Sequence, residues 1–309
     1  MLDLIIIGGS AAATTAGIYA VRRGLDFKIV TKEFGGEVAT SGEIGNWPGI
    51  SQTDGITLSN QFKEHLKFYN VVPEEGVEVK KIIKQGDGNF SIIATKDGGP
   101  EIEYLSKIVI VSTGVRPREL NIPGEKEFRN KGVSYCTVCD GPLFNGKTTA
   151  VIGGGNSALE AGLMLADISI KVYVVNKNLQ FKGDSILLEK LMSKKNVEII
   201  YGAKTEEIVG GEVFVKGLRY KKDNSPSIEI NVDGIFVHIG MIPNSYIVPE
   251  EVNKNNFGEI IVNKNCETNV PGLYAAGDVT DVSFNQIVIA AGQGCIATLS
   301  AVNYLNRLK

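Results

Sequence analysis

The second half of the chain contains an apolar run that passes directly into a small-residue turn, Thr149-Ala150-Val151-Ile152-Gly153-Gly154-Gly155-Asn156-Ser157-Ala158. A helical stretch follows to about Asp167, so the local order is strand, turn and helix. Gly153, Gly155 and Ala158 have the spacing of the dinucleotide-binding fingerprint, in which glycines let the backbone approach a pyrophosphate at a helix N-terminus. A glycine-rich turn without a ligand is the alternative, but the strand–turn–helix context favours nucleotide binding.

The first half repeats this pattern in a weaker form, Leu4-Ile5-Ile6-Ile7-Gly8-Gly9-Ser10-Ala11-Ala12-Ala13, followed by a helical stretch to Arg23. Ser10 and Ala13 stand where glycines are usual, but both are small enough for a phosphate to approach. This turn is predicted either to bind a nucleotide or to serve only as a structural connection. Second strands at 27–30 and 171–175 complete two βαβ units.

Each half continues with short strand-like segments that turn residues separate: 77–84, 90–94, 101–105 and 107–111 in the first, and 206–209, 213–220, 228–232 and 234–238 in the second. A short strand at 273–276 and a long helix over 286–305 form a tail that we expect to pack on the first half. The sequence therefore predicts an α/β fold of two Rossmann-like (three-layer ββα) nucleotide-binding domains, the second inserted into the first. The first comprises residues 1–113 and 245–309, and the second residues 114–244.

The composition is that of a globular chain, with 309 residues of which 43% are hydrophobic and 22% charged, and it excludes disorder. A net charge of −3 without a basic stripe gives no support for binding to nucleic acid or to an anionic membrane. The apolar run at 2–7 is too short to span a bilayer, and no basic segment precedes it. We therefore expect no transmembrane segment, no signal peptide and a cytoplasmic location.

Two of the four cysteines form a Cys-x-x-Cys motif, Cys136-Thr137-Val138-Cys139, which Asp140 follows directly. Zinc needs four ligands, and the other cysteines, Cys266 and Cys295, stand alone, so no metal site is predicted. Inert core thiols are equally disfavoured, and a redox dithiol is the favoured interpretation. A helix N-terminus here would stabilise a thiolate. Asp140 could exchange protons with the thiolate or simply cap the helix.

Two nucleotide sites and a redox dithiol together indicate a particular chemistry. A hydride carries two electrons from a nicotinamide, a dithiol accepts two, and a flavin can link the two steps. Gly277-Asp278 follows the strand at 273–276, where the carboxylate would accept a hydrogen bond from a ribose-like hydroxyl or serve as a turn residue. His65 is predicted on a helix and His238 in a packed strand, and neither is assigned a catalytic role.

These motifs resemble those of the low-molecular-weight, bacterial-type thioredoxin reductases over essentially the whole chain. Further similar segments are Phe34-Gly35-Gly36-Glu37, Asn46-Trp47-Pro48-Gly49, Ser112-Thr113-Gly114 and Ala275-Ala276-Gly277-Asp278. The reductase portion of the F subunit of alkyl hydroperoxide reductase is similar at 132–136, 140–144 and 258–261. Proteins of that kind carry an additional N-terminal thioredoxin-like module. This chain starts at the first strand, so electrons are not expected to pass through such a module in cis.

The resemblance implies FAD in the first domain, a homodimer, and a rotation of the second domain that brings dithiol and nicotinamide to the flavin in turn. It also implies that Cys139 faces the flavin, Cys136 attacks the substrate disulfide and Asp140 is the acid/base. The implied FAD-binding residues are Gly8, Ser10, Ala11, Ala12, Glu33, Gly36, Glu37, Asn46, Thr113, Gly114, Gly277, Asp278, Gln286 and Ile287. Those for NAD(P)H are Gly153, Gly155, Asn156, Ser157, Ala158, Asn176, Lys177 and Lys182.

The residues leave the electron donor open between NADPH and NADH. A carboxylate at the end of the second strand would bind the ribose of NADH, whereas arginines would bind the 2′-phosphate of NADPH. Members of the family that use NADPH carry a His-Arg-Arg run here. This chain has Asn176-Lys177-Asn178 and then Phe181-Lys182. The two lysines supply positive charges but not the bidentate hydrogen bonds of an arginine guanidinium. Some relatives take electrons from ferredoxin, although the intact turn at 153–158 disfavours that alternative.

The predicted function is a flavoprotein disulfide reductase that passes electrons from NAD(P)H through FAD and the Cys136–Cys139 dithiol to thioredoxin or a glutaredoxin-like protein. The alternatives within enzymes are an NADH- or ferredoxin-dependent reductase of a peroxiredoxin system and a dithiol oxidase that passes electrons to oxygen. The alternative outside enzymes is a flavin-bound redox sensor without turnover, which the exchange dithiol disfavours.

Overall fold

The computed structural model describes residues 1–41, 43–223 and 225–308, with the backbone alone for Glu43 and Cys139. The chain divides into two compact units. Unit 1 comprises Met1–Arg116 and Ile242–Lys309, and unit 2 comprises Pro117–Met241. The predicted junctions, 113/114 and 244/245, each lie three residues from a boundary of unit 2.

The secondary structure follows this division. The first part of unit 1 contains β1 (Leu2–Ile7), α1 (Ala11–Arg22), β2 (Phe27–Val30), α2 (Gly36–Ala39), β3 (Glu43–Ile44), β4 (Thr53–Asp54), α3 (Gly55–Phe68), β5 (Val77–Lys84), β6 (Phe90–Lys96), β7 (Glu101–Val111) and β8 (Val115–Pro117). Unit 2 contains β9 (Val133–Ser134), α4 (Thr137–Asp140), a 3-10 helix (Gly141–Phe144), β10 (Thr148–Ile152), α5 (Asn156–Ala166), β11 (Lys171–Val175), α6 (Ser185–Met192), β12 (Val197–Ile200), β13 (Ala203–Gly210), β14 (Val215–Lys222), β15 (Ile228–Asn231) and β16 (Gly234–Val237). The chain then returns through β17 (Met241–Pro243), β18 (Leu273–Ala275) and α7 (Ile287–Leu308).

The main sheet of unit 1 has the order β2-β1-β7-β6-β5, with β18 also paired to β7. β1 is parallel to β2 and β7, and its central residues, Leu4, Ile5 and Ile6, are fully buried because both faces of the strand are covered. β5, β6 and β7 form the predicted antiparallel meander. The predicted break between 101–105 and 107–111 is wrong, since β7 is continuous. The hydroxyl of buried Ser106 bonds to the carbonyl of Ile108, so this polar residue does not interrupt the strand.

Unit 2 contains a parallel sheet of order β12-β11-β10-β16-β9 and a separate antiparallel sheet of order β13-β14-β15. Apolar residues of the parallel strands pack on one side against α5 and α6 and on the other against the antiparallel sheet. The strand order around β10 repeats that around β1, because β10 pairs in parallel with β11 and with β16. The two βαβ units predicted from the sequence are thus both present.

The first glycine of each motif lies against the end of a neighbouring strand. Gly8 has a φ of +136°, and a Cβ there would overlap the carbonyl oxygen of Ser112, directly after β7. Gly153 has a φ of +155°, and a Cβ there would overlap the carbonyl oxygen of His238, directly after β16. Both positions combine an unfavourable φ with a lack of space, so both require glycine.

Helix α7 is long and apolar enough to span a membrane by length and composition, the one such helix in the described part of the chain. This finding contrasts with the expectation of no transmembrane segment. The helix packs along α1, however, and its Thr298 hydroxyl bonds to the carbonyl of Ala16. One face of α7 is therefore a core face of unit 1, and core helices of soluble proteins meet the same length and hydropathy criterion.

Substitution of Gly294 tests how closely α7 must approach α1. A Cβ at Gly294 would overlap the carbonyl oxygen of Ala12, so Gly294→Ala is expected to cost about 1–3 kcal/mol in the free energy of unfolding. Gly292→Ala is the matched control, because a Cβ at Gly292 meets nothing within 4 Å. The control should be neutral or stabilising by up to about 1 kcal/mol. Urea unfolding of both variants measures the difference, and equal effects would contradict this packing.

Candidate functional site

Both βαβ helices begin without a capping side chain. α1 has Ser10 and α5 has Gly155 at the N-cap, neither makes a side-chain cap hydrogen bond, and neither first turn holds an acidic residue. The N–H groups of the first turn, which include those of Ala11 and Ala12, are therefore available to a ligand. Such a terminus favours an anion through its backbone donors and its dipole. Each unit thus holds one phosphate-compatible turn where the sequence predicted it.

The loop after the second strand folds back onto the glycine turn in the same way in both units. In unit 1 the N–H of Gly35 donates to the carbonyl of Gly9 at 2.6 Å. In unit 2 the N–H of Lys182 donates to the carbonyl of Gly154 at 2.7 Å. Each loop therefore lies beside the glycine turn of its own unit. Within each unit, this places the predicted ligand residues of the loop near those of the glycine turn. These are Glu33, Gly36 and Glu37 in unit 1, and Lys177 and Lys182 in unit 2.

Unit 1 gathers further residues that were predicted to bind FAD. The Asn46 Nδ2 atom lies 3.1 Å from the Gln286 Oε1 atom, although 240 residues separate them in the chain. Desolvation raises the pKa of Glu37, and the nearby Asp278 carboxylate raises it further. These two pairs show that α2, the segment after β3, and the tail meet in one region. Ile287 begins α7 directly after Gln286.

The turn after β18 carries the carboxyl group of Asp278, which is partly buried. Burial raises the pKa of Asp278 to about 6, with no hydrogen bond contributing to that shift. The turn is held by Gln293, whose Oε1 atom accepts the N–H of Gly277 at 2.7 Å. Gln293 was missed in the sequence, which offers no signal for a contact from α7 to this turn. A partly buried carboxyl group can accept a hydrogen bond from a ligand hydroxyl.

The turn after β7 is held by Asn244, a residue of unit 1 that follows unit 2 in the sequence. The Thr113 hydroxyl donates to the carbonyl of Asn244 at 2.9 Å, and the Asn244 side chain donates to the carbonyl of Thr113. Gly114 follows with a φ of +60°. The predicted residues Thr113 and Gly114 therefore form part of a rigid turn at the carboxyl end of β7, the edge of the sheet where Gly8 also lies.

In unit 2 the Asn176 side chain faces inward. It is 1% exposed, its Nδ2 atom donates to the carbonyl of Gln180, and its Oδ1 atom accepts the N–H of Asn178. The amide therefore holds the loop at 177–182, which lines a shallow depression of about 630 Å³. Lys177 and Lys182 are exposed on this loop. The side chain of Asn156 is also occupied, since it accepts the N–H of Asp184 at 2.7 Å.

The Cys-x-x-Cys segment forms the short helix α4, and Cys136 is disulfide-bonded. Ser134 holds Cys136 from the N-terminal side, because its Oγ atom accepts the Cys136 N–H at 3.0 Å. The side chain of Cys139, predicted to face the flavin, lies outside the described residues. Asp140 follows in the helix and donates its N–H to the carbonyl of Cys136. Among the residues described, no group of three His, Cys, Asp or Glu side chains could hold a metal ion.

Two groups that support this segment were not identified from the sequence. Glu125 is 1% exposed and accepts the hydroxyl of Tyr135 at 2.8 Å as well as two backbone N–H groups. It therefore anchors the residue before Cys136. The Nε2 atom of His238 lies 2.7 Å from the Thr137 Oγ1 atom, within the Cys-x-x-Cys turn. Local sequence patterns do not reveal either contact, because the two hydrogen bonds join residues that are 10 and 101 positions apart in the chain.

The titration of Asp278 gives a test of its burial. Its pKa of about 6 lies above the ordinary ~3.9, so the folded chain binds more protons than the unfolded chain between these two pH values. Its contribution to stability is present below about pH 4 and is lost as the pH rises through about 6. In the ligand-free protein, the free energy of unfolding of Asp278→Asn, relative to that of the wild type, should therefore rise by up to about 3 kcal/mol between these two pH values. Urea unfolding at several pH values measures this difference, and a pH-independent difference would contradict it.

Known proteins resemble this chain in sequence and in fold. The family described as pyridine nucleotide-disulphide oxidoreductase matches residues 2–294. The F subunit of alkyl hydroperoxide reductase from Escherichia coli (strain K12) is 41% identical over 309 residues, 99% of this chain and 59% of that protein. The chain thus spans less than two thirds of the length of such relatives.

Among solved structures, the thioredoxin reductase of Lactococcus lactis matches with a TM-score of 0.83 and 30% identity, over 99% of this chain and 100% of that one. The thioredoxin reductase of T. acidophilum matches with a TM-score of 0.80 and 34% identity, over 100% and 99%. These findings confirm the predicted fold class and the predicted resemblance to the thioredoxin reductases. The chain belongs to the pyridine nucleotide-disulphide oxidoreductase family.

Proposed function

We propose that this chain is a flavoprotein disulfide reductase that passes electrons from NAD(P)H through FAD and the Cys136–Cys139 dithiol to thioredoxin or a similar small redox protein. The observation that carries the proposal is the placement of Cys136. This residue is disulfide-bonded in a short turn of unit 2, the unit that also holds the intact glycine turn at Gly153–Ala158. A hydride donor and a two-electron acceptor therefore belong to one unit.

Unit 1 is proposed to bind FAD. Bound FAD supplies a two-electron carrier between nicotinamide and disulfide. The α1 N-terminus at Ser10–Ala12 would bind its pyrophosphate, and the partly buried Asp278 carboxylate would accept a hydrogen bond from one of its hydroxyl groups. Glu37, Asn46 and Gln286 would contact the rest of the cofactor. Occupation by a hydroxyl donor would favour the ionised form of Asp278.

The dithiol is proposed to work with divided roles. Cys136 is the exchanging thiol that attacks the substrate disulfide, Cys139 exchanges electrons with the flavin, and Asp140 is the acid/base. Two apolar side chains of this segment, Val138 and Leu143, are 43% and 70% exposed. Exposed apolar groups beside a reactive thiol suit the docking of a small protein partner rather than of a low-molecular-weight thiol.

A peroxiredoxin-system reductase is the second candidate function. The identity of 41% to the alkyl hydroperoxide reductase protein exceeds the 30% and 34% to the thioredoxin reductases. The chemistry at Cys136 would be the same in both cases. The two functions differ only in the protein that receives the electrons, so a comparison of thioredoxin with the thioredoxin-like module of an alkyl hydroperoxide reductase separates them.

A homodimer in the cytoplasm is also proposed. Helix α7 packs on α1 with one face, while Val288 and Ile296 on it are 45% and 41% exposed. A second copy of the chain would cover these apolar side chains. Sedimentation velocity of the FAD-loaded protein tests this proposal, and a monomer at micromolar concentration would contradict it.

An anaerobic titration of the FAD-loaded protein with NADH and with NADPH tests the first half of the reaction. Bleaching of the flavin band by either donor is the expected result. If dithionite bleaches the band but neither nucleotide does, the proposed donor is wrong, and reduced ferredoxin and thiol substrates are then the donors to compare. Rapid oxygen uptake driven by a thiol would identify a dithiol oxidase, and bound FAD without any turnover a sensor.

Substitution of Cys136 tests the second half of the reaction. Cys136→Ser is expected to reduce protein-disulfide reduction to background while flavin bleaching by the nucleotide persists, because only the exchanging sulfur is lost. Cys295→Ser is the matched control, since Cys295 is a free thiol in α7. Its rate should equal that of the wild type. Full disulfide reductase activity in Cys136→Ser would contradict the assigned role.

The two exposed lysines of the 177–182 loop test how the nucleotide is discriminated. An ammonium group near the ribose stabilises a 2′-phosphate, and exposed charge pairs contribute up to about 1 kcal/mol each. Lys177→Gln combined with Lys182→Gln should therefore raise the Kd of NADPH about fivefold or more relative to the Kd of NADH. Fluorescence titration measures both constants. An equal change for the two nucleotides would show that these lysines do not read the 2′ position.

A further inference from the structure

The backbone of His238 is fixed at the nucleotide turn of unit 2. Its N–H donates to the carbonyl of Ile152 at 2.7 Å, which extends the pairing of β16 with β10 by one residue. Its own carbonyl oxygen lies so close to the Cα of Gly153 that a Cβ there would overlap it. His238 therefore cannot move independently of the turn at Gly153–Ala158.

The side chain of the same residue reaches the dithiol turn. Its Nε2 atom lies 2.7 Å from the Oγ1 atom of Thr137, although 101 residues separate the two in the chain. Thr137 is 4% exposed and directly follows Cys136. A hydroxyl group can both donate and accept, so this hydrogen bond forms with either tautomer of a neutral imidazole.

The imidazole is neutral in the working range of pH. Burial lowers the pKa of His238 to about 4, so no positive charge is available to stabilise a thiolate. His238 therefore acts on the dithiol by holding its turn in place, not by supplying a charge. Ser134 holds the backbone of Cys136 from one side, and His238 holds the neighbouring Thr137 from the other. Two hydrogen bonds, one at Cys136 and one at Thr137, therefore hold the turn.

We propose that His238 is a positioning residue of the redox dithiol: its hydrogen bond to Thr137 stabilises the disulfide-bonded form of the turn and ties that turn to the nucleotide-binding glycine. The inference rests on the proposed function in taking Cys136 as redox-active. A single residue thus links Gly153 to Thr137. Loss of the bond destabilises the oxidised form and makes the disulfide easier to reduce.

The test is the equilibrium of the Cys136 disulfide with glutathione, measured by alkylation and mass spectrometry on the full-length, FAD-loaded protein. His238→Leu and Thr137→Val each remove one partner of the bond. Each should shift the equilibrium constant toward the reduced form by about fivefold, the usual effect of one intramolecular hydrogen bond. The double variant should show no larger shift than either single variant, because both remove the same interaction.

Two variants that keep the hydrogen bond are the controls. Thr137→Ser retains the hydroxyl and His238→Gln retains a donor and an acceptor, so both should stay within about twofold of the wild type. Flavin absorbance and circular dichroism establish that each variant is folded. If His238→Leu does not fold, Thr137→Val decides alone, since it replaces a hydroxyl by a methyl group of similar size.

The outcomes separate this inference from the proposed function. A wild-type equilibrium constant in folded Thr137→Val, or additive shifts in the double variant, would overturn the role of His238 and leave the disulfide reductase intact. A Cys136 disulfide that does not exchange with glutathione at any ratio in the wild type would instead overturn the proposed function, and this inference with it.

Discussion

The contact between a glycine and the carbonyl oxygen of a neighbouring strand organises both units. In unit 1 the pair is Gly8 and Ser112, and in unit 2 it is Gly153 and His238. The parallel strands can end side by side only because the glycine has no Cβ. The same approach sets the glycine turn, the helix N-terminus behind it and the loop after the second strand at one edge of the sheet. Residues of each unit that are predicted to bind a ligand lie at that edge.

The two units carry side chains of opposite charge on this shared frame. The loop that bonds to the first glycine turn carries Glu33 and Glu37, whereas the loop that bonds to the second carries Lys177 and Lys182. In unit 1 the strand β18, paired in parallel with β7, brings the carboxyl group of Asp278 to the same region. An acidic rim suits a ligand read through its hydroxyl groups, and a basic rim suits one with an additional phosphate.

The sequence predicted those features that depend on short patterns. Apolar segments gave β2 and β11 with their observed bounds, because strands buried in a sheet leave a hydrophobic signal. The bounds of β5 came from a strand-like pattern followed by turn residues. Buried Ser106 concealed the continuity of β7, since its satisfied hydroxyl has no signature in the sequence. Glu125, Gln293 and His238 were missed as supports of the site. Their roles depend on side-chain contacts that exist only after the chain has folded.

Asn176 occupies a position that the sequence predicts to bind the nucleotide, but its side chain makes hydrogen bonds within its own loop. It stands at the end of β11, where a carboxylate would contact a ribose, but its amide is spent on the carbonyl of Gln180 and the N–H of Asn178. A side chain that closes its own loop cannot also read a ligand without opening that loop. Under the proposed function, exposed side chains on the loop surface would then discriminate between the two nucleotides. Solvent and salt screen such charges, so selectivity between the two nucleotides is expected to be modest and to decline with ionic strength.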